Sequence, residues 1–231
     1  MSSRSLADTP WRPGSRVARL KASHSYGFVL ILIAIVFVFT AVASDGNWAD
    51  STLLVLQAVT LAAALYTAGF ARADSVVSVA LVALAGICAV ALVLFGGTVL
   101  EALVGILSGL ITLATIVIVG IGIVDQGEPN IQSVTGAVCV YILFGLTFLF
   151  LYSVIAALGS GDFFAQGTDG TRSLRFYFSY ITLATVGYGD YTAASDLGRT
   201  LAVVEALLGQ LYLVTVLAAF VARARPRTPS S

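Results

Sequence analysis

Six stretches of this 231-residue chain are almost wholly apolar: 26–44, 51–71, 75–95, 98–124, 134–158 and 198–222. Each is about the 20 residues that a helix needs to cross the hydrocarbon core of a bilayer. Backbone inside hydrocarbon must find its hydrogen bonds within protein, and a helix does so within a single segment. Composition agrees, since 58% of the residues are hydrophobic and only 10% are charged. Soluble domains carry about 25% charged residues, and a water-soluble core of this size would leave too much apolar surface exposed. The expected fold is all-α and integral to a membrane, with six transmembrane helices. Between the last two runs lie a polar, glycine-rich stretch, 159–173, and a short apolar segment, 174–186. That segment is too short to span and reads as a re-entrant element, which a membrane accepts only inside protein or beside a water-filled cavity.

Basic residues set the orientation. Arg4, Arg12, Arg16, Arg19 and Lys21 precede the first run, and Arg223, Arg225 and Arg227 follow the last. Both termini are therefore placed in the cytoplasm, as an even number of crossings requires. The 45–50 turn, with Asp45 and Asp50, then falls outside, and Arg72 falls inside. The acidic 125–132 linker lies inside against the usual bias, and the 159–197 loop lies outside although it holds Arg172 and Arg175. The basic start, the apolar core at 28–42 and Ala-Val-Ala-Ser-Asp at 41–45 also resemble a signal peptide with an A-x-A cleavage site. As a leader it would be unusually long, and the run is read as a retained span. Cys88 and Cys139 lie inside apolar runs and read as free packed thiols.

The tetrapeptide Thr-Leu-Ala-Thr occurs twice. At 112–115 it continues into Ile116-Val117-Ile118-Val119, which can only stay helical in lipid. At 182–185 it continues as Val186-Gly187-Tyr188-Gly189-Asp190. The nine residues from Thr182 to Asp190 match the selectivity-filter signature T-x-x-T-V-G-Y-G-D, and on them the chain resembles the pore-forming subunit of a tetrameric potassium channel. The resemblance implies that backbone carbonyls of Thr185, Val186, Gly187 and Tyr188, with the Thr185 hydroxyl, bind K+ in rings built from four chains. Gly187 and Gly189 supply left-handed dihedrals without a Cβ clash, while Val186 and Tyr188 point away from the axis. A pore helix over about 173–184 aims its negative C-terminal end at the cavity beneath. Tyr177 and Phe178 fall where many members carry a tryptophan pair that clamps the filter tyrosine. Ile181 stands where some members place a carboxylate, so Asp190 needs another partner, for which the Tyr177 hydroxyl is the candidate. The competing account of the motif is a tight glycine-rich turn joining two spans.

The run 198–222 resembles the inner, pore-lining helix of that family. Gly209 falls at its hinge position, the alternative being a small residue that permits close helix packing. Gln210, Leu213 and Leu217 follow on one helical face as cavity-lining candidates. Glu205 is an ionisable group inside a span, a functional candidate by default; a hydrogen bond to Ser179 or Thr182 is its structural alternative.

Six runs with one pore loop is also the layout of voltage-gated channels, so the fourth run should carry arginines at every third position. From Ala102 to Val124 it has no lysine or arginine, and only Glu101 stands at its outer end. One charge crossing 100 mV yields about 2.3 kcal/mol, and sensors carry roughly 3–4 charges per subunit, so little intrinsic voltage dependence is expected. The joining segment Asp125-Gln126-Gly127-Glu128-Pro129-Asn130-Ile131-Gln132 is broken by Gly127 and Pro129 and makes a poor lever. Gly105-x-x-x-Gly109 suits helix packing.

The expected division is a basic cytoplasmic segment, 1–25; a four-helix membrane unit without gating charges, 26–124; a pore domain, 133–223; and a short tail, 224–231. The expected assembly is a homotetramer in the lipid bilayer of a prokaryotic plasma membrane. The basic N-terminal stretch is available to anionic lipid, and His24 beside it reads as incidental. No cofactor beyond permeant K+ and no nucleic-acid partner is expected. An enzyme is disfavoured, because the sequence offers no paired carboxylates on its membrane side, no HExxH and no Ser/His/Asp set. A potassium-uptake translocating subunit, usually four pore repeats with degenerate filters in one chain, fits less well.

Overall fold

The computed structural model describes residues 25–68, 74–95, 97–125 and 131–224. Its helices are α1 Ser25–Val42, α2 Asn47–Thr67, α3 Asp74–Phe95, α4 Thr98–Asp125, α5 Ile131–Leu158, α6 Arg172–Leu183 and α7 Asp196–Ala224. Four are long and apolar enough to cross a membrane, over Asn47–Thr67, Val99–Val124, Ile131–Leu158 and Asp196–Ala222; Tyr26–Val42 and Val82–Phe95 are shorter apolar helices. The chain is an all-helical, multi-pass membrane protein. The basic stretch before residue 25, with its expected lipid contact and His24, lies outside the described residues. So do Arg72, the 126–130 segment with Gly127, Glu128 and Pro129, and the tail after Ala224.

Several threonines within these helices return their protons to their own backbone. Thr40, Thr67 and Thr147 donate to the carbonyls four residues earlier, at 2.6–2.9 Å. A hydroxyl satisfied in this way can be carried in an apolar setting.

The helices pack around two cores that share α2 and α4. Leu54, Leu61, Leu92 and Ile111 form a core among α2, α3 and α4, while Val29, Ile33, Leu143 and Leu146 form another centred on α1 and α5. Gly105 and Gly109 face α5, where a Cβ would stand 3.3 Å from Val154 and 3.5 Å from Phe150. Helix α6 fits between α5, α7 and the end of α1. A third cluster, of Phe148, Tyr152, Phe163, Phe164 and Phe178, closes the end of the molecule where the 159–171 loop lies. The start of α6, which follows that loop, meets the 43–46 turn, where the Arg172 N–H donates to Asp45.

Candidate functional site

Helix α6 starts where Thr171 accepts a hydrogen bond from the Leu174 N–H at 3.1 Å, a side-chain N-cap. Beside it Arg172 is 4% exposed. Its guanidinium donates to Asp50 at 2.5 Å and to the carbonyls of Ala43 and Ser44 at 3.0 and 3.2 Å, and its backbone N–H donates to Asp45 at 3.1 Å. Arg175 donates to Ser153 and to the carbonyls of Asp169 and Gly170. Burial pushes its guanidinium down from the usual value, and the carboxylates of Asp45, Asp169 and Asp50 push back. These two arginines, which the sequence-based topology sets against the charge bias, are held by acids, carbonyls and the Ser153 hydroxyl.

At its other end α6 runs into the nine-residue motif. The N–H groups of Thr185, Val186 and Gly187 turn back onto the helix, donating to the carbonyls of Thr182 at 2.9 Å and Ile181 at 2.8 and 3.2 Å. The peptide bonds of the described residues are trans, and in a trans peptide the carbonyl points opposite to the N–H. The Thr185 and Val186 carbonyls are therefore aimed away from α6, toward the open side of the chain. Positive φ values alternate along the segment: Thr185 at 55°, Gly187 at 51° and Gly189 at 79°. The two glycines take this conformation without strain. Thr185 does so at a cost and needs its surroundings to hold it there. Gln210 of α7 supplies one restraint, its Nε2 donating to the Thr185 hydroxyl at 3.0 Å. The groups that could hold a bare monovalent cation here are the carbonyls of residues 185–188 and the Thr185 hydroxyl.

The outer end of the segment is bracketed. Tyr177 donates to Asp190 at 2.9 Å, so the structure brings together the pair that the sequence suggested. The loop and the stretch after the filter pair with each other, Ala165 N–H to the Thr192 carbonyl and Ala194 N–H to the Phe163 carbonyl, both at 2.8 Å. Phe178 is 5% exposed and its ring partners within the chain are Phe163, Phe164 and Tyr152. It points about 100° from Tyr177 around the helix, toward the loop.

Helix α7 meets α6 and the segment that follows it at three levels. Glu205 is fully buried; the Tyr152 hydroxyl of α5 donates to one carboxyl oxygen at 2.6 Å, and the Ser179 hydroxyl of α6 lies 2.5 Å from the other. Of the two partners considered from sequence, Ser179 is the one it meets; Tyr152 was not legible, being 53 residues away on another helix. At Gly209 a Cβ would stand 2.4 Å from the Leu183 carbonyl oxygen. The residue sits within an unbroken helix, and close approach is what requires a glycine there. Gln210 is exposed apart from its bond to Thr185, and Leu213 and Leu217 are 44% and 65% exposed.

Residues 171–225, which span α6, the filter segment and α7, match a family model described as an ion channel. No curated protein and no solved structure matches the chain. The last quarter of this multi-pass membrane protein is thus similar to an ion-channel domain, and the helices before α6 lie outside the match.

Proposed function

We propose that the chain is one subunit of a homotetrameric potassium channel that conducts K+ passively through a backbone-carbonyl filter at Thr185, Val186, Gly187 and Tyr188. The observation that carries this reading is the backbone of the segment. Three successive N–H groups are spent on the pore helix, and alternate residues take positive φ, an arrangement that turns carbonyls to one side. A single chain offers one such edge, and a ring of oxygens around a bare ion needs several. Helix α7 supports the same assembly, because 11% of its span is buried against 44–56% for the other three. Its uncovered apolar faces suit neighbouring copies and a central cavity lined by Gln210, Leu213 and Leu217. Gly209 is the hinge of the inner helix in this reading, and Thr182, Asp190, Tyr177 and Phe178 support the filter, Phe178 through the outer loop. Six crossings, with α1 and α3 as the short ones, put both termini in the cytoplasm of a prokaryotic cell, and no cofactor is required.

Flux of K+ against Na+ from liposomes holding the purified protein, with barium as blocker, tests the reading. Gly187 lies at φ +51°, where a Cβ strains the backbone whatever the space around it. Gly187→Ala is expected to abolish selectivity or conduction. Retention of both would sink the filter assignment.

A further inference from the structure

The first copy of Thr-Leu-Ala-Thr has no part in the filter, yet both of its threonines share one setting. Thr112 and Thr115 of α4 are 2% and 1% exposed and, with Gln57 and Thr60 of α2, line a small chamber closed by apolar side chains of α1 and α5. Gln57 is 4% exposed, and neither atom of its amide has a hydrogen-bond partner among the described residues. It lies about 15 Å along α2 from Asn47, near the middle of a hydrocarbon core about 30 Å thick. An orphaned amide at that depth is costly.

Counting protons shows what would complete the site. Each threonine hydroxyl has one proton and spends it on its own helix: Thr60 on the Leu56 carbonyl at 2.8 Å, Thr112 on Ser108 at 2.7 Å and Thr115 on Ile111 at 2.8 Å. The neighbouring backbone N–H groups are engaged in helices. The walls therefore offer lone pairs and no free proton. A threonine oxygen can serve Gln57 Nε2, but nothing in the walls can serve Oε1. The chamber admits the centre of a water-sized sphere over about 10 Å³, which is room for one water and no more. A cation is a poor occupant, because no carboxylate lines the chamber and an unpaired charge at mid-depth costs far more than a dipole.

We infer that this chamber is the binding site of a single structural water. It donates one proton to Gln57 Oε1 and the other to a threonine hydroxyl oxygen, joining α2 to α4. The bridge fixes the register of the two helices at mid-depth, and it gives the first tetrapeptide copy its role. The inference is independent of which ion the protein carries.

Electron cryomicroscopy of the full chain in lipid nanodiscs, at a resolution that shows ordered waters, tests it. A density peak is expected within hydrogen-bond distance of the Gln57 amide and of a threonine hydroxyl, and absent in Gln57→Leu. An ordered Gln57 with no such peak, or with its amide bonded directly to protein, overturns the inference. Melting temperatures give a second measurement should Gln57→Leu fail to fold. The loss caused by Thr112→Val with Thr115→Val is expected to be smaller in a Gln57→Met background than in the wild type. Equal losses in the two backgrounds overturn the shared water.

Discussion

Glu205 shows how much one side chain on α7 ties together. Its carboxyl takes the Tyr152 proton, and Ser179 stands between it and the Gly145 carbonyl at 2.8 Å. Glu205→Gln keeps every bond, with the amide oxygen accepting from Tyr152 and the amide N–H donating to Ser179. Near wild-type thermal stability is expected of it. Glu205→Leu leaves the buried Tyr152 hydroxyl without an acceptor and is expected to cost about 1–3 kcal/mol, read from thermal unfolding of the solubilised protein. Equal stability of the two variants would show that the bonds contribute little. At the far end of the motif, Tyr177→Phe removes the bond to Asp190. Faster loss of current during sustained recording is expected, and unchanged conductance and inactivation would refute a role for the bond. The motif from Thr182 to Asp190 and the Tyr177 contact were legible because they are local, set by one helix end and the residues that follow it. Phe178 was not, since its partners Phe163 and Phe164 lie on a loop with no periodic pattern to place them.

Among the elements, the long helices were readable because a bilayer leaves an apolar run few alternatives; the run 198–222 became α7, Asp196–Ala224. The pairing of 163–165 with 192–194 was not readable, because it joins segments on opposite sides of the filter through backbone bonds that any sequence can make. Nor was the mooring of α6. Arg172 looked like an exception to the charge bias, and only the folded chain shows Asp45 and Asp50 waiting for it. Arg172→Leu is expected to destabilise the protein toward the lower end of the about 3–5 kcal/mol typical of a broken buried pair, because Asp50 keeps 36% side-chain exposure. If Arg172→Leu melts within a degree of the wild type, the mooring is not structural. Restoration by Asp50→Asn in the Arg172→Leu background would assign part of the loss to the stranded carboxylate.

For the whole molecule, the decisive feature of the first four helices is what α4 lacks. Its apolar faces pack on α2, α3 and α5, and no cation among residues 102–124 is there to feel the field. Conductance–voltage curves of the purified protein in planar bilayers are expected to be shallow, with any curvature due to ion block; steep, saturating curves would overturn this. The peripheral helices are nonetheless tied to the pore through Arg172 and the 43–50 turn. That tie has a consequence for how the protein is made. Synthesis delivers the α1–α2 hairpin before α6, with Asp45 and Asp50 on its turn, and Arg172 emerges 122 residues after Asp50. Helix α6 has anchors on α5 as well, through Ser179 and Tyr180, but its charged first turn fits carboxylates that the ribosome has already made, so the α1–α2 turn is a receptacle available as soon as Arg172 appears.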